Sequence, residues 1–263
     1  MQHPQDPRAI FSLGRGPDGG LTWAVPDAWQ QGRGAYGGLV TAALVRALDT
    51  VAQGRPLRSL MATLCGPALV GLAELHVQAL RQGSKLSAGA VTLRQGGEVV
   101  AHGVGVYGDA RADRTEWRAH APPDLRPWTG GLSMPEGASP TFTRHFEYQP
   151  EVGFPQTGEA PFTEGWVRLR GASGPVDAAL LTALIDAWWP AAFVAMAETR
   201  PMGTIATTID LLPTPPDLDA SRPTWLRVRL LAGAEGHLVE SRELFSESGQ
   251  LLAINHQTQA LIR

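Results

Sequence analysis

The sequence predicts an α+β protein built from two similar halves, each with one helix and a curved antiparallel sheet. Strand-like runs cluster after a helical stretch instead of alternating with helices, which argues against a parallel doubly wound sheet. The same order of elements occurs twice, on either side of a Pro/Gly-rich segment without periodicity. We therefore expect an N-terminal domain over residues 1–118, a linker over 119–140 and a C-terminal domain over 141–263.

The first half begins with an extended piece, Leu21–Trp29, and a Gly-rich turn, Gly32–Gly38. A helical stretch follows from Leu39 to about Ala52, since it is rich in Ala and Leu and has no internal Gly or Pro. Turn signals then separate four predicted strands. These strands are Leu57–Leu69, Leu72–Arg81, Lys85–Arg94 and Glu98–Tyr107.

The second half repeats this order. An extended run, Phe142–Tyr148, and a strand, Trp166–Arg170, lead to a helix that starts near Pro175 with Asp177 in its first turn. That helix carries Ala178–Met196, and we expect Pro190 to kink or divide it. The strands that follow are Gly203–Leu212, Trp225–Leu231, His237–Phe245 and Gln250–Ile262.

Two local similarities support an internal duplication. Ala43–Leu48 in the first helix resembles Ala183–Trp188 in the second, and Gly97–His102 resembles Gly249–Ile254. Two such units can pair their sheets edge to edge, which hides edges that would otherwise be open to other chains.

Composition excludes several classes of protein. The formal net charge of −3 and the pI of about 6.2 provide no basic field for nucleic acid. A single cysteine, Cys65, excludes an internal disulfide and indicates a reducing compartment, and its apolar surroundings predict a buried position. No apolar run approaches the ~20 residues that span a bilayer, and the N-terminus lacks a signal peptide pattern. We expect a soluble, cytoplasmic protein without membrane insertion.

Several motifs, in their order along the chain, resemble those of the acyl-CoA thioesterase II family. They are Tyr36-Gly37-Gly38 before the first helix, Asp186 in the second helix, Thr208-Ile209-Asp210 on the next strand, and the ending Gly249–Gln257. The resemblance runs from about Leu21 to the C-terminus. It implies a double hot-dog fold and the hydrolysis of a fatty-acyl or related acyl-CoA thioester to free acid and CoA.

In that family an Asp, a Thr and a Gln hold the attacking water, which the resemblance carries to Asp186, Thr208 and Gln257. The chain departs from the family after Asp210, where Leu-Leu-Pro stands in place of His-Ser-Met. Thr204 is expected to share a strand face with Thr208 and is the reserve candidate. The sequence leaves open which neighbouring threonine serves, and whether turnover is retained.

Main-chain groups at the start of the first helix are the expected stabilisers of the thioester oxyanion. Helix N-termini present unpaired N–H groups, and glycine permits close approach, so Tyr36, Gly37 and Gly38 are predicted to bind substrate. Thr204 is predicted to contact the substrate as well. At the positions matching Asp186 and Gln257, the first half has Arg46 and Gly105, which predicts one active centre per chain. The aromatic residues that follow Asp186 are predicted to form core or the wall of an acyl pocket.

Other functional interpretations have less support from the sequence. A non-catalytic acyl-CoA binding protein on the same fold is the main alternative. A hydratase would need a histidine a few residues after Asp177, and none is there. The histidines show no metal spacing, and Gly32–Gly37 lacks the strand context of a dinucleotide loop, so no metal or cofactor is expected. The expected partners are the acyl-CoA substrate and, on this fold, a second copy of the chain in a homodimer. The sequence leaves the length of the acyl chain open.

Overall fold

The computed structural model describes residues 7–112, 115, 117, 123–135, 137 and 139–262. It confirms an α+β protein with a large antiparallel sheet and few helices. The elements of the first half are β1 (Gly14–Arg15), β2 (Leu21–Val25), β3 (Gln30–Gln31), β4 (Gly34–Ala35), α1 (Gly37–Leu48), β5 (Leu57–Leu64), β6 (Gly71–Gln82), β7 (Leu86–Gln95) and β8 (Glu98–Gly108).

The second half follows the same plan. Its elements are β9 (Phe146–Val152), β10 (Phe162–Leu169), α2 (Ala178–Ile185), α3 (Ala192–Ala195), β11 (Met202–Leu211), β12 (Thr224–Ala234), β13 (His237–Phe245) and β14 (Leu251–Leu261). Short 3-10 turns occur at Pro7–Phe11, Asp49–Val51 and Thr141–His145.

Twelve of the strands form one sheet in the order β1-β2-β6-β7-β8-β5-β11-β14-β13-β12-β10-β9. The order of the second half is the order of the first half reversed. The halves meet where β5 pairs antiparallel with β11, with Ala62 opposite Thr207 and Leu60 opposite Ile209. The expected edge-to-edge pairing is therefore present, and it removes one open edge from each half.

Both helices pack on the sheet and against each other. Helix α1 lies over β6, β7 and β8 of its own half, and α2 lies over β10, β13 and β14. Nearly every residue of α1 is buried, so this helix is held by packing on all sides. Gly105 on β8 makes room for it, because a Cβ there would lie 2.9 Å from Cδ1 of Leu48.

Helix α2 ends earlier than the sequence predicted. Asp177 caps its start by accepting a hydrogen bond of 2.9 Å from the Leu180 N–H, but the helix stops at Ile185 and Asp186 is its C-cap. Pro190 gives the reason, because a proline clashes with the carbonyl four residues earlier, here that of Asp186. The prediction that Pro190 divides the run is confirmed, because a separate short helix follows at Ala192–Ala195. The expectation that Asp186 lies in mid-helix is wrong.

Two other local predictions are also wrong. Cys65 is exposed instead of buried, because β5 ends at Leu64 and the chain turns into the Gly66-Pro67 loop. The run Phe142–Tyr148 was expected to be extended throughout. Its first part is a 3-10 turn, and β9 begins only at Phe146.

The Pro/Gly-rich segment is described only in part, since residues 119–122, 136 and 138 lie outside the described residues. Where it is described, it packs against the second half. The indole N–H of Trp166 donates to the Arg126 carbonyl (2.7 Å), and Leu132 pairs with Tyr148 in an isolated bridge. The domain boundaries predicted from the sequence stay a prediction.

Hydrophobic stretches in the helices are short. Within the described ranges, no helix combines the length and the apolarity needed to cross a membrane.

Candidate functional site

Asp186 stands at the centre of a polar cluster between the two helices and the sheet. Its side chain is 13% exposed. Oδ1 accepts a hydrogen bond of 2.6 Å from Nε2 of Gln257, which reaches up from β14. The sequence-predicted pair of Asp186 and Gln257 is thus brought into direct contact, although 71 residues separate them in the chain.

The amide of Gln257 is oriented by a threonine on the neighbouring strand. Oγ1 of Thr204 donates to Oε1 of Gln257 at 2.9 Å, and Nε2 of Gln259 donates to the same oxygen at 3.2 Å. With its oxygen occupied on this side, Gln257 presents its NH₂ group to Asp186. Because Gln257 is buried, this orientation is held without competition from bulk water.

The start of α1 meets the other side of the carboxylate. A backbone hydrogen bond from Gly38 reaches Asp186, and the positive end of the α1 dipole favours the negative charge. A Cβ on Gly37 would lie 2.8 Å from Oδ2 of Asp186, and one on Gly38 would lie 3.0 Å from its Cβ. Only glycine therefore allows this approach at both positions.

Tyr36 precedes these glycines but does not face the cluster. Its hydroxyl donates to the Ala183 carbonyl of α2 at 3.4 Å, and its buried ring stacks on Phe142 at a centroid distance of 4.3 Å. The side chain holds the start of α1 against α2. It is not among the described residues that line the cavity beside Asp186.

A buried ion pair that the sequence analysis missed supports Asp186 from β13. The Arg242 side chain is 2% exposed. Its Nη1 donates to Oδ1 of Asp186 at 3.3 Å and to the carbonyls of Ile185 (3.2 Å) and Trp188 (3.4 Å). Nε donates to Oε1 of Glu240 at 2.8 Å. Arg242 therefore fixes both the carboxylate and the backbone on either side of it.

Glu240 completes this pair. It is fully buried, and its Oε2 accepts a hydrogen bond of 2.7 Å from the Ala191 N–H. A pattern in β13 points to both residues: two opposite charges at alternate positions share a strand face with Leu238 and Leu244. Charges on an apolar strand face are rare unless they are paired.

Burial and the neighbouring polar groups shift the pKa of Asp186 in opposite directions. Burial raises the pKa of this carboxyl above its ordinary value, whereas the Arg242 guanidinium, the Gln257 amide and the Gly38 N–H each lower it. Burial is the largest of these effects, so the pKa is raised on balance. Such a carboxylate is a stronger base than an exposed Asp.

A small cavity of about 10 Å³ lies against the carboxylate. A water molecule requires roughly 10–15 Å³ of such space and two to four polar partners. The cavity thus has room for about one water. Its described lining consists of Gly37, Thr41, Leu64, Asp186, Thr204, Thr207, Ile209 and Gln257.

Thr208 is not brought to this cluster. The pairing of β11 with β14 shifts register between Thr204 and Ala206, so a β-bulge at Ile205 changes the alternation of faces. Thr204 and Thr207 consequently line the small cavity, while Thr208 lies opposite His256 and lines a groove on the other sheet face. The expectation that Thr204 and Thr208 share a face is wrong for this reason.

No metal centre accompanies the cluster. Across the described ranges, no three His, Cys, Asp or Glu side chains are grouped so that they could hold an ion.

Two family models match the chain. The acyl-CoA thioesterase N-terminal domain matches residues 25–108, and the acyl-CoA thioesterase C-terminal domain matches residues 118–261. The chain belongs to the acyl-CoA thioesterase family. Together the two matches cover most of the chain and include every residue of the Asp186 cluster. No curated protein matches it.

Solved structures share the fold across nearly the whole chain. A hot-dog protein of unknown function from Alicyclobacillus acidocaldarius is 21% identical, with a TM-score of 0.88 over 97% of each chain. A putative thioesterase II from Thermobifida fusca YX is 19% identical, with a TM-score of 0.82 over 100% of each chain. An acyl-CoA thioesterase II from Mycobacterium marinum is 17% identical, with a TM-score of 0.74 over 97% of each chain.

The close approach of α1 to Asp186 predicts that Gly38→Ala destabilises the protein. The added Cβ would lie 2.6 Å from Cε2 of Tyr36 and 2.9 Å from the Ala183 carbonyl oxygen, so the helices must move apart. We expect a loss of about 1–3 kcal/mol in the free energy of unfolding. Denaturant titration measures it, with Gly66→Ala as control because a Cβ there meets nothing within 4 Å. Equal stability of the two variants would contradict the described packing.

Proposed function

We propose that this protein is an acyl-CoA thioesterase that hydrolyses an acyl-CoA to free acid and CoA. The observation that carries the proposal is the cavity for about one water, bordered by Asp186, Gln257 and Thr204. A thioester is already activated, so its hydrolysis needs a positioned water, a base and a stabilised oxyanion. The cluster supplies a candidate for each, and the family match supports the choice of substrate.

In the proposed reaction Asp186 takes a proton from the water as the water oxygen attacks the thioester carbonyl carbon. The tetrahedral intermediate collapses with cleavage of the carbon–sulfur bond, and the proton held by Asp186 passes to the departing CoA sulfur. Gln257 and Thr204 fix the water and the carboxylate in one geometry, which lowers the entropic cost of the attack. Thr204, and not Thr208, is the threonine that we assign to this role.

The developing oxyanion is assigned to the start of α1. Gly37 lines the cavity and follows Tyr36 at the helix N-terminus, where main-chain N–H groups and the dipole stabilise negative charge. The Gly38 N–H is bonded to Asp186 and holds the base. In this scheme Gly37 stabilises the substrate oxyanion and Gly38 holds the base, whereas Tyr36 acts by packing the start of α1 against α2.

Arg242 is a positioning residue in this scheme. It does not line the small cavity among the described residues, but it holds the carboxylate and the carbonyls of Ile185 and Trp188. Its charge offsets part of the burial that raises the pKa of Asp186. The buried groups Glu240 and Tyr36 also interact electrostatically with Asp186, although neither lines the small cavity among the described residues.

We also infer a tandem pair of hot-dog domains. The reversed strand order of the two halves, the edge-to-edge pairing of β5 with β11 and the two family models support this architecture. At the end of α1, Arg46, which matches Asp186 in the first half, forms an ion pair of 2.7 Å with Asp177 of the second half. This supports a single active centre per chain. A homodimer stays a prediction.

Thiol release from a panel of acyl-CoAs tests the proposed activity, with Asp186→Asn as the matched variant. Loss of a general base costs about 10²–10⁴-fold in rate, so we expect turnover by the wild type and a loss of that size in the variant. Unchanged turnover in Asp186→Asn would contradict the assigned base. Absence of release with retained acyl-CoA binding would instead favour a non-catalytic acyl-CoA binding protein.

A pair of conservative variants separates the two threonines. Thr204→Val removes the hydroxyl that orients Gln257, and we expect kcat/KM to fall by about tenfold, the cost of one hydrogen bond of ~1.4 kcal/mol. Thr208→Val removes a hydroxyl from the opposite sheet face and should leave kcat/KM unchanged. The reverse result would restore the motif-based assignment.

The pH profile tests the role of Arg242. The base must be ionised, so kcat/KM falls as the pH drops through the pKa of Asp186, which burial raises above its ordinary value. Arg242→Met removes a charge that lowers this pKa and should move the acidic limb to higher pH, while Arg242→Lys should restore it in part. Arg222→Met, whose Arg pairs with Glu247 at the surface, is the control. An unshifted limb in Arg242→Met would show that Arg242 does not act on the base.

A further inference from the structure

A second, larger cavity of about 750 Å³ opens beside the segment that follows Asp186. This volume is within the ~300–1,000 Å³ typical of small-molecule sites. Apart from Gln31 of β3, the wall belongs to the second half and to the described part of the Pro/Gly-rich segment. It includes the aromatic residues Phe142, Tyr148, Phe154, Trp188, Trp189 and Phe193.

The cavity wall begins one residue from the proposed base. Ala187 lines it, and consecutive Cα atoms are ~3.8 Å apart. The Ala187 carbonyl accepts a hydrogen bond of 2.9 Å from the Tyr148 hydroxyl, and the Trp188 carbonyl accepts one of 3.4 Å from Arg242. Arg242, which fixes Asp186, therefore also fixes this wall, together with Tyr148.

The lining is rigid. Besides the six aromatic side chains, the described lining contains six prolines, whereas Leu132, Met134 and Ala187 are its aliphatic members. Trp188 and Trp189 stack on each other at a centroid distance of 4.4 Å. Rigid rings cannot close around a thin alkyl chain, so a single chain would leave gaps that forfeit dispersion contacts.

Charge and exposure at the rim fit an anionic ligand with an apolar end. Arg200 is the charged residue among the described lining, and no Asp or Glu accompanies it there. Phe154 and Leu132 are 50% and 72% exposed, although both are large and apolar. Exposed apolar side chains around a cavity are a mark of ligand binding.

From these observations we infer that the cavity binds the acyl group of the substrate, and that the preferred acyl group ends in a bulky ring, such as an aromatic ring. This inference rests on the proposed thioesterase function and adds the substrate class. Ring faces and edges match the aromatic lining, and such contacts contribute beyond the apolar area that they bury.

The test compares two acyl-CoAs of equal carbon number, 8-phenyloctanoyl-CoA and tetradecanoyl-CoA. Isothermal titration calorimetry with the Asp186→Asn variant measures binding without turnover. We expect the phenyl-ended ligand to bind about tenfold more tightly, which corresponds to one or two favourable aromatic contacts. Equal affinity, or tighter binding of the straight chain, would overturn the inference.

Substitutions in the cavity wall test whether this cavity causes the preference for the phenyl-ended ligand. In the Asp186→Asn background, Phe154→Ala removes a half-exposed ring from the wall and should abolish the preference without unfolding the protein, which the melting temperature checks. Phe162→Ala is the control, since that ring lies outside the cavity and against Arg229 (5.4 Å from the guanidinium carbon). Thr199→Trp, at the exposed rim, should weaken both ligands by filling space. If the preference for the phenyl-ended ligand survives in both Phe154→Ala and Thr199→Trp, the acyl group binds outside this cavity and the inference is overturned.

The same experiment distinguishes failure of the cavity from failure of the reaction. Selective binding of the phenyl-ended ligand by a protein that hydrolyses no acyl-CoA would support the inferred ligand site and reject the proposed thioesterase activity. Turnover that depends on Asp186, with no preference between the two ligands, would reject the inferred preference of the cavity and support the proposed thioesterase activity.

Discussion

The site depends on the burial of one carboxylate between the ends of two helices. Asp186 is the C-cap of α2, where the helix dipole disfavours a negative charge, and it lies against the start of α1, where the dipole favours one. Pro190 places it there because its ring prevents α2 from continuing past Asp186, four residues earlier. Gly37 and Gly38 then allow α1 to approach within contact distance. These backbone constraints allow a charge from one half to reach a helix N-terminus of the other.

Keeping this charge buried requires further charges behind it. Removing an ion from water is expensive, and attraction to a partner offsets that cost only with good geometry and satisfied hydrogen bonds. Arg242 meets Asp186 and Glu240 together, and Glu240 also accepts from the Ala191 N–H. The network therefore ties β13 to the segment that leaves α2. Under the proposed function, the network holds the base in a fixed position, while burial raises the pKa of Asp186 above its ordinary value.

The fold was largely predictable, because its signals are local. Turn residues and runs of apolar residues indicated most strands, and β13 matches its predicted bounds at both ends. Asp186 and Gln257 were also found from the sequence. What the sequence did not show arises from non-local effects: the bulge at Ile205 depends on the pairing of β11 with β14, and it decides which threonine faces the cavity. Arg242 was missed because the opposite charges at alternate positions of β13 indicate a buried pair only once packing shows that this strand face is covered.

The central claim is that a water held by Asp186 attacks the thioester carbonyl directly. Single turnover in ¹⁸O-labelled water, with enzyme in excess of acyl-CoA, tests this claim by mass spectrometry of the acid and of the peptide that contains Asp186. Direct attack predicts one ¹⁸O atom in the released acid and none in Asp186. Label in the Asp186 side chain, or an unlabelled acid from the first turnover, would show that the carboxylate itself attacks and would contradict the account.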